Sequence, residues 1–105
     1  MGFVNSPPGR MTKNGLTNLG SDAHSTTNLK EGMEKQLATY LCDIVEHFKN
    51  LPRKDRLLFN YLSPVNEPEV AWQAGNNQEG SRNSNEDIKK VLRALHEEIA
   101  LRKLR

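Results

Sequence analysis

Two clusters of basic side chains come nearest to chemistry in this 105-residue chain. Arg53, Lys54 and Arg56 form one, and Lys89, Lys90 and Arg93 form the other. Either group could neutralise phosphates, and binding of that kind falls steeply with salt. Asp55 interrupts the first cluster, acids flank the second, and no aromatic residues interleave to stack bases. The net charge of +2 is spread thinly and forms no basic stripe, so nucleic acid is the weaker partner class, behind protein. The three histidines, His24, His47 and His96, lie far apart with no Cys, His or Asp at ligand spacing, which makes them solvated residues. Cys42, the single cysteine, has no activating neighbour and reads as a passive thiol. The carboxylates fall among lysines and arginines on polar helix faces. There is no Gly-rich phosphate loop, nucleophile elbow or paired-Cys motif. The expectation is a protein that is not an enzyme, with no catalytic residue, no metal site and no cofactor.

The elements that carry these residues are helical. From Leu37 the apolar positions Leu37, Tyr40, Leu41, Ile44, Val45 and Phe48 follow i, i+3, i+4, i+7 spacing, which draws one stripe along a helix. Pro52 ends it, because it lacks the N–H for the interior ladder and forces Leu51 toward an extended conformation. Pro52 can also open a second helix over 53–62, with Leu57, Leu58, Tyr61 and Leu62 inward. The C-terminal helix, about 85–104, begins with a capping-box spacing, Ser84 to Asp87, and places acids at its start and Arg102, Lys103 and Arg105 at its end. Ile88, Leu92, Leu95 and Ile99 make a short heptad seam that either packs on the hairpin as a third helix or associates with another chain.

The run Tyr40 to Phe59 resembles a BESS motif. Tyr40, Leu41, Ile44, Val45, Phe48, Lys49, Leu51, Pro52, Arg56, Leu57 and Phe59 stand at that family's positions, and the likeness covers about residues 37–62. BESS motifs are protein-association modules of insect chromatin and transcription proteins. The resemblance therefore implies a transcription setting, and it favours the nucleus over the cytoplasm.

Residues 1–29, rich in Gly, Asn, Ser, Thr and Pro, have no apolar period and read as a disordered arm. The arm opens on a bare myristoylation pattern at Gly2, which Phe3 and Pro7 disfavour. Residues 66–83 read as a loop or linker because of Pro68, Gly75 and Gly80. Within it, Trp72 either folds back on the core or stands out as a partner anchor. No signal-like leader or membrane span is evident, and a lone cysteine needs no oxidising compartment, so an intracellular protein with no membrane contact is expected.

The resulting expectation is all-α: a disordered arm (1–29), a helical hairpin (30–65), a linker (66–83) and a long amphipathic helix (84–105), packed as a small helical bundle. Its function would be protein–protein interaction, with another protein or with itself. Leu37, Leu41, Ile44, Phe48, Leu57, Phe59, Trp72, Leu92, Leu95 and Ile99 would form the association surface. Arg53, Lys54, Arg56, Lys89, Lys90 and Arg93 serve the alternative, a nucleic-acid-associated regulator. A viral or host adaptor working through short linear motifs is a further alternative.

Overall fold

The structure, a computed structural model, describes residues 1–21, 27–70, 72 and 78–104. His24, Ala71 and Arg105 lie outside the described residues. The element order is β1 (Gly2–Phe3), a one-turn 3-10 helix (Gly9–Met11), α1 (Glu34–Asn50), β2 (Leu62–Ser63) and α2 (Asn85–Leu101). Helix dominates the regular structure, as the apolar stripes predict.

α1 begins later than its charge pattern suggests. Gly32 takes a left-handed φ of +80°, which a helix cannot contain, so the start moves from about 30 to Glu34. Met33 stands at the N-cap, with no side-chain cap bond. At the other end Leu51 is extended with ψ 156°, ahead of Pro52, and the helix stops there.

The expected second helix over 53–62 does not form. The chain makes one turn, Asp55 N–H donating to Pro52 O at 2.8 Å, and Leu57 N–H returns to Phe48 O at 3.2 Å. It then runs extended into β2, which pairs in parallel with β1 in the register Gly2 to Leu62 and Phe3 to Ser63. A ten-residue helix is marginal by itself. Strand pairing supplies what local propensity cannot: Gly2 N–H donates to Tyr61 O at 2.8 Å, and Phe59 packs edge-on against Phe48 with ring centroids 6.0 Å apart. Gly2 is needed at this contact, since a Cβ there would meet the Phe59 ring at 2.7 Å. Two parallel strands require a crossover, and α1 is that crossover. The helical hairpin is thus replaced by two consecutive βα units.

The segment expected to be a disordered arm is folded wherever it is described. Met11, Leu19 and Leu29 are buried, and Met11 and Leu29 join the main core with Leu37, Ala38, Leu41, Cys42, Val91 and Leu95. Thr12 bridges Leu29 in an isolated antiparallel pair, with Lys13 N–H donating to Asn28 O at 2.7 Å and Lys30 N–H to Met11 O at 2.8 Å. Buried Asn28 donates from Nδ2 to Asn14 Oδ1 at 2.8 Å, so the polar side chain is satisfied inside the loop. Side chains of this kind have no sequence period, because a loop presents them one at a time.

α2 packs on α1. Its capping box is present, Asp87 N–H donating to Ser84 Oγ at 3.2 Å and Ser84 N–H to Asp87 Oδ2 at 3.3 Å. The inward line is Val91, Leu95 and Ile99, while Leu92 is 48% exposed, so the heptad seam is off by one position at its centre. Arg102 closes the pair of helices: it reaches Asp43 at 2.7 Å and Glu46 at 3.0 Å on α1 and Glu98 at 2.7 Å on its own helix. These carboxylates raise the guanidinium pKa further, so Arg102 stays charged at any working pH. No helix among the described residues is long and apolar enough to cross a membrane.

The two faces of α2 predict different costs. Leu95→Ala should lower the urea unfolding free energy by about 2–5 kcal/mol, the usual range for a buried leucine. Leu92→Ala should change it by no more than about 0.5 kcal/mol, as at ordinary surface positions. Ser84→Ala should cost about 1 kcal/mol through the lost cap.

Candidate active site

In a parallel βα arrangement the loops after the strands open on one face, and that is where (β/α) proteins place their chemistry. Here those loops are 4–33 after β1 and 64–84 after β2. Both are far longer than an ordinary connection. β2 runs out through Pro64 and Val65 into Asn66, Glu67 and Pro68. Ser63 Oγ donates to Val65 O at 2.7 Å and fixes the exit.

Glu67 is the residue on this face with an unusual backbone. Its φ is +40°, and besides Lys103 it is the only non-glycine among the described residues with positive φ. A branched or long side chain adopts that region at a cost, and such positions cluster where geometry serves function. Its side chain is exposed at the mouth of the loop. Its carbonyl accepts two hydrogen bonds, from Val70 N–H at 3.1 Å and from the Trp72 indole N–H at 3.1 Å.

Trp72 is buried at 5% exposure, and Gly80 lies against it so closely that a Cβ at position 80 would fall inside the indole. Its carbonyl accepts from Leu19 N–H at 2.7 Å, and Gly80 N–H donates to Thr17 O at 2.9 Å. Asn83 N–H closes back on Pro68 O at 3.0 Å. The loop after β1 and the loop after β2 are therefore stitched together around one indole. Among the two roles open to Trp72, the structure has it folded inward, although its neighbours are loop residues and not the hairpin core.

The other residues singled out from the sequence are scattered. Leu37, Leu41 and Leu95 meet in the core with Ile99 packed against it, while Ile44, Phe48 and Phe59 are half-buried, the two phenylalanines packing on each other. Leu57 is 49% exposed on the strand approach and Leu92 is on the outer face of α2. Arg53, Lys54 and Arg56 lie exposed in the turn after α1, with Arg56 Nε donating to Leu51 O at 3.4 Å. Lys89, Lys90 and Arg93 are exposed on α2, where Lys89 pairs with Glu86 at 2.7 Å. Neither basic group lies in the loops that follow the strands. His47 and His96 are exposed, and no cluster of three or more His, Cys, Asp or Glu among the described residues could hold a metal ion. Cys42 is fully buried; burial pushes its thiol pKa up, with the nearby Arg102 charge opposing in part, so it stays a neutral thiol.

Reading the sequence alone passes over Glu67, because Pro68 and the glycines that follow mark the segment as a linker. The signal ahead of it was weak, since Tyr61-Leu62-Ser63-Pro64-Val65 carries Ser63 and Pro64 among its apolar residues and a proline demotes a strand reading.

Comparison with known proteins agrees with the βα reading. The crystal structure of a conserved exported protein from Bacteroides fragilis superposes with a TM-score of 0.82 at 31% identity, covering 96% of this chain and 19% of that one. The chain thus spans about a fifth of that protein's length. No curated protein matches it. A model of O-glycosyl hydrolase family 30 matches residues 1–104. These likenesses overturn the BESS resemblance, whose Pro52 corner is a helix end followed by a strand. The interaction module for chromatin or transcription falls with it, as do the nucleic-acid and adaptor alternatives and the nuclear location. With its model matched over nearly every residue, the chain belongs to O-glycosyl hydrolase family 30.

Proposed function

We propose that this chain supplies two consecutive βα units, and one of the two catalytic carboxylates, to the hydrolysis of O-glycosidic bonds. The observation that carries the reading is Glu67: a carboxylate in the loop leaving a parallel strand, on a left-handed backbone pinned through its carbonyl. Glycoside hydrolysis is usually performed by a pair of Asp or Glu residues that flank the scissile bond. One protonates the glycosidic oxygen as the C1–O bond breaks. The other either attacks C1 or activates the water that does. The position of Glu67 in the loop just past β2, on the side where βα arrays carry their chemistry, supports that role.

The second carboxylate would come from chain beyond these residues, in keeping with the share of the Bacteroides protein that this chain covers. Other features support a larger barrel. Among the described residues the sheet has two strands, and Met1, Phe3, Leu58 and Tyr61 are exposed around it, where further strands would cover them. A groove of about 530 Å³ lined by Val45, Leu58, Phe59, Leu62, Ile99 and Leu104 lies open beside β2. Because the neighbouring protein is described as exported, a substrate met outside the cytoplasm is the reading we adopt for this chain too, in place of an intracellular one.

The test is Glu67→Gln in the protein that carries this chain, assayed on aryl and alkyl glycosides. Hydrolysis of alkyl glycosides should fall at least about a hundredfold, the contribution of a positioned proton-transfer group or more. If Glu67 is the acid, substrates with good leaving groups should lose much less, since they need no proton; if it is the nucleophile, both classes should fall alike. Undiminished hydrolysis of both classes by E67Q would exclude Glu67 from the reaction.

A further inference from the structure

We infer that Trp72 is the positioning residue for Glu67, acting through its indole N–H on the Glu67 carbonyl. The inference rests on the reading of Glu67 as a catalytic carboxylate. A carboxyl group does its work only if held within about half an ångström of its place, and at Glu67 the backbone itself is in a costly conformation, φ +40°. That conformation persists only where its surroundings over-determine it. Two bonds converge on the carbonyl, one from Val70 N–H within the same turn and one from Trp72, each 3.1 Å long. The Val70 bond belongs to the turn and moves with it. The Trp72 bond comes from a side chain that is anchored elsewhere.

Three contacts provide that anchor. The indole lies against Gly80, where any Cβ would occupy the ring's own space. The Trp72 carbonyl takes Leu19 N–H at 2.7 Å from the loop after β1. Gly80 N–H in turn reaches Thr17 O at 2.9 Å in that same loop. The indole is therefore a rigid peg set between two loops, and its one polar atom points at the backbone of the acidic residue. A buried Trp needs a partner for its N–H, and here the partner is the carbonyl whose placement matters most.

The experiment compares Trp72→Phe, Glu67→Gln and the parent protein on an alkyl glycoside. Phenylalanine keeps an aromatic ring at the site and removes the N–H. W72F should keep the parent's thermal midpoint within a few degrees and its KM within twofold, while kcat falls about ten- to a hundredfold, the range expected when a reacting group is misplaced. The amide resonances of Glu67 and Val70 should shift, and those of core residues such as Leu41 should not. If W72F does not fold, 3-benzothienylalanine at position 72 keeps the indole's shape and exchanges only N–H for sulfur, and the same fall in kcat is expected. Unchanged kcat in a folded variant lacking the N–H, with E67Q inactive, overturns the positioning role and leaves the Glu67 reading standing. An E67Q protein as active as the parent overturns the Glu67 reading, and the role assigned to Trp72 goes with it.

Discussion

Pairing of β1 with β2 in parallel is the constraint on which the rest of the structure depends. It involves only Gly2–Phe3 and Leu62–Ser63, yet it decides which end of each strand faces which way. Antiparallel neighbours could be joined by a tight turn, whereas parallel ones need a crossover, so α1 must lie between them. Once that is settled, the loops 4–33 and 64–84 emerge at the same ends of adjacent strands. Trp72 and Gly80 meet the Thr17–Leu19 segment for that reason. The close packing of Phe59 on Gly2 shows how little freedom the pairing has: any side chain at position 2 would push the ring away.

The helices serve this arrangement from one side. Leu37, Leu41, Val91 and Leu95 form the interior of the α1–α2 contact, and Met11 and Leu29 of the first loop enter the same cluster. The long loop is thereby tied to the scaffold by apolar burial at Met11 and Leu29 and by the Asn14–Asn28 amide contact between them. Arg102 adds a charge-assisted link among three carboxylates at 18% side-chain exposure. Its position at the end of α2 secures the register of the two helices more than it adds net stability, since partly exposed ion pairs contribute little.

The helices were legible because they carry strong periodic signals: the stripe of α1, and the capping box with the apolar line of α2. Their ends were less so. Gly32 shortened α1 through its backbone conformation, which no side-chain period reports. Residues 57–62 misled because Leu57, Leu58, Tyr61 and Leu62 fit helical spacing as well as an extended run, and only the distant partner β1 decides between them. Each strand has two residues, too short for alternation to show. Met11, Leu19 and Asn28 of the first loop are tied by hydrogen bonds to residues well away in the chain, and buried Thr12 bonds to Gly9 and Leu16 across the turn, none of which composition reports, so the segment resembled a disordered arm. Glu67 was hidden for a similar reason. Proline and glycine around it are the marks of a linker, and here they are the marks of a loop built to hold a strained residue and to let an indole lie flat against Gly80.

If Glu67 acts as proposed, a sugar-binding face lies at the carboxyl ends of β1 and β2, with Glu67 at its centre. The most direct measurement is a titration of the protein carrying this chain with a cationic iminosugar, which presents positive charge where a glycosyl transition state develops it, followed by backbone amide NMR. The account predicts saturable shifts concentrated at residues 4–6 and 65–70, abolished by Glu67→Gln, with Arg53–Arg56 and Lys89–Arg93 unmoved. Shifts confined to those basic segments, or none at Glu67 under saturation, would contradict it.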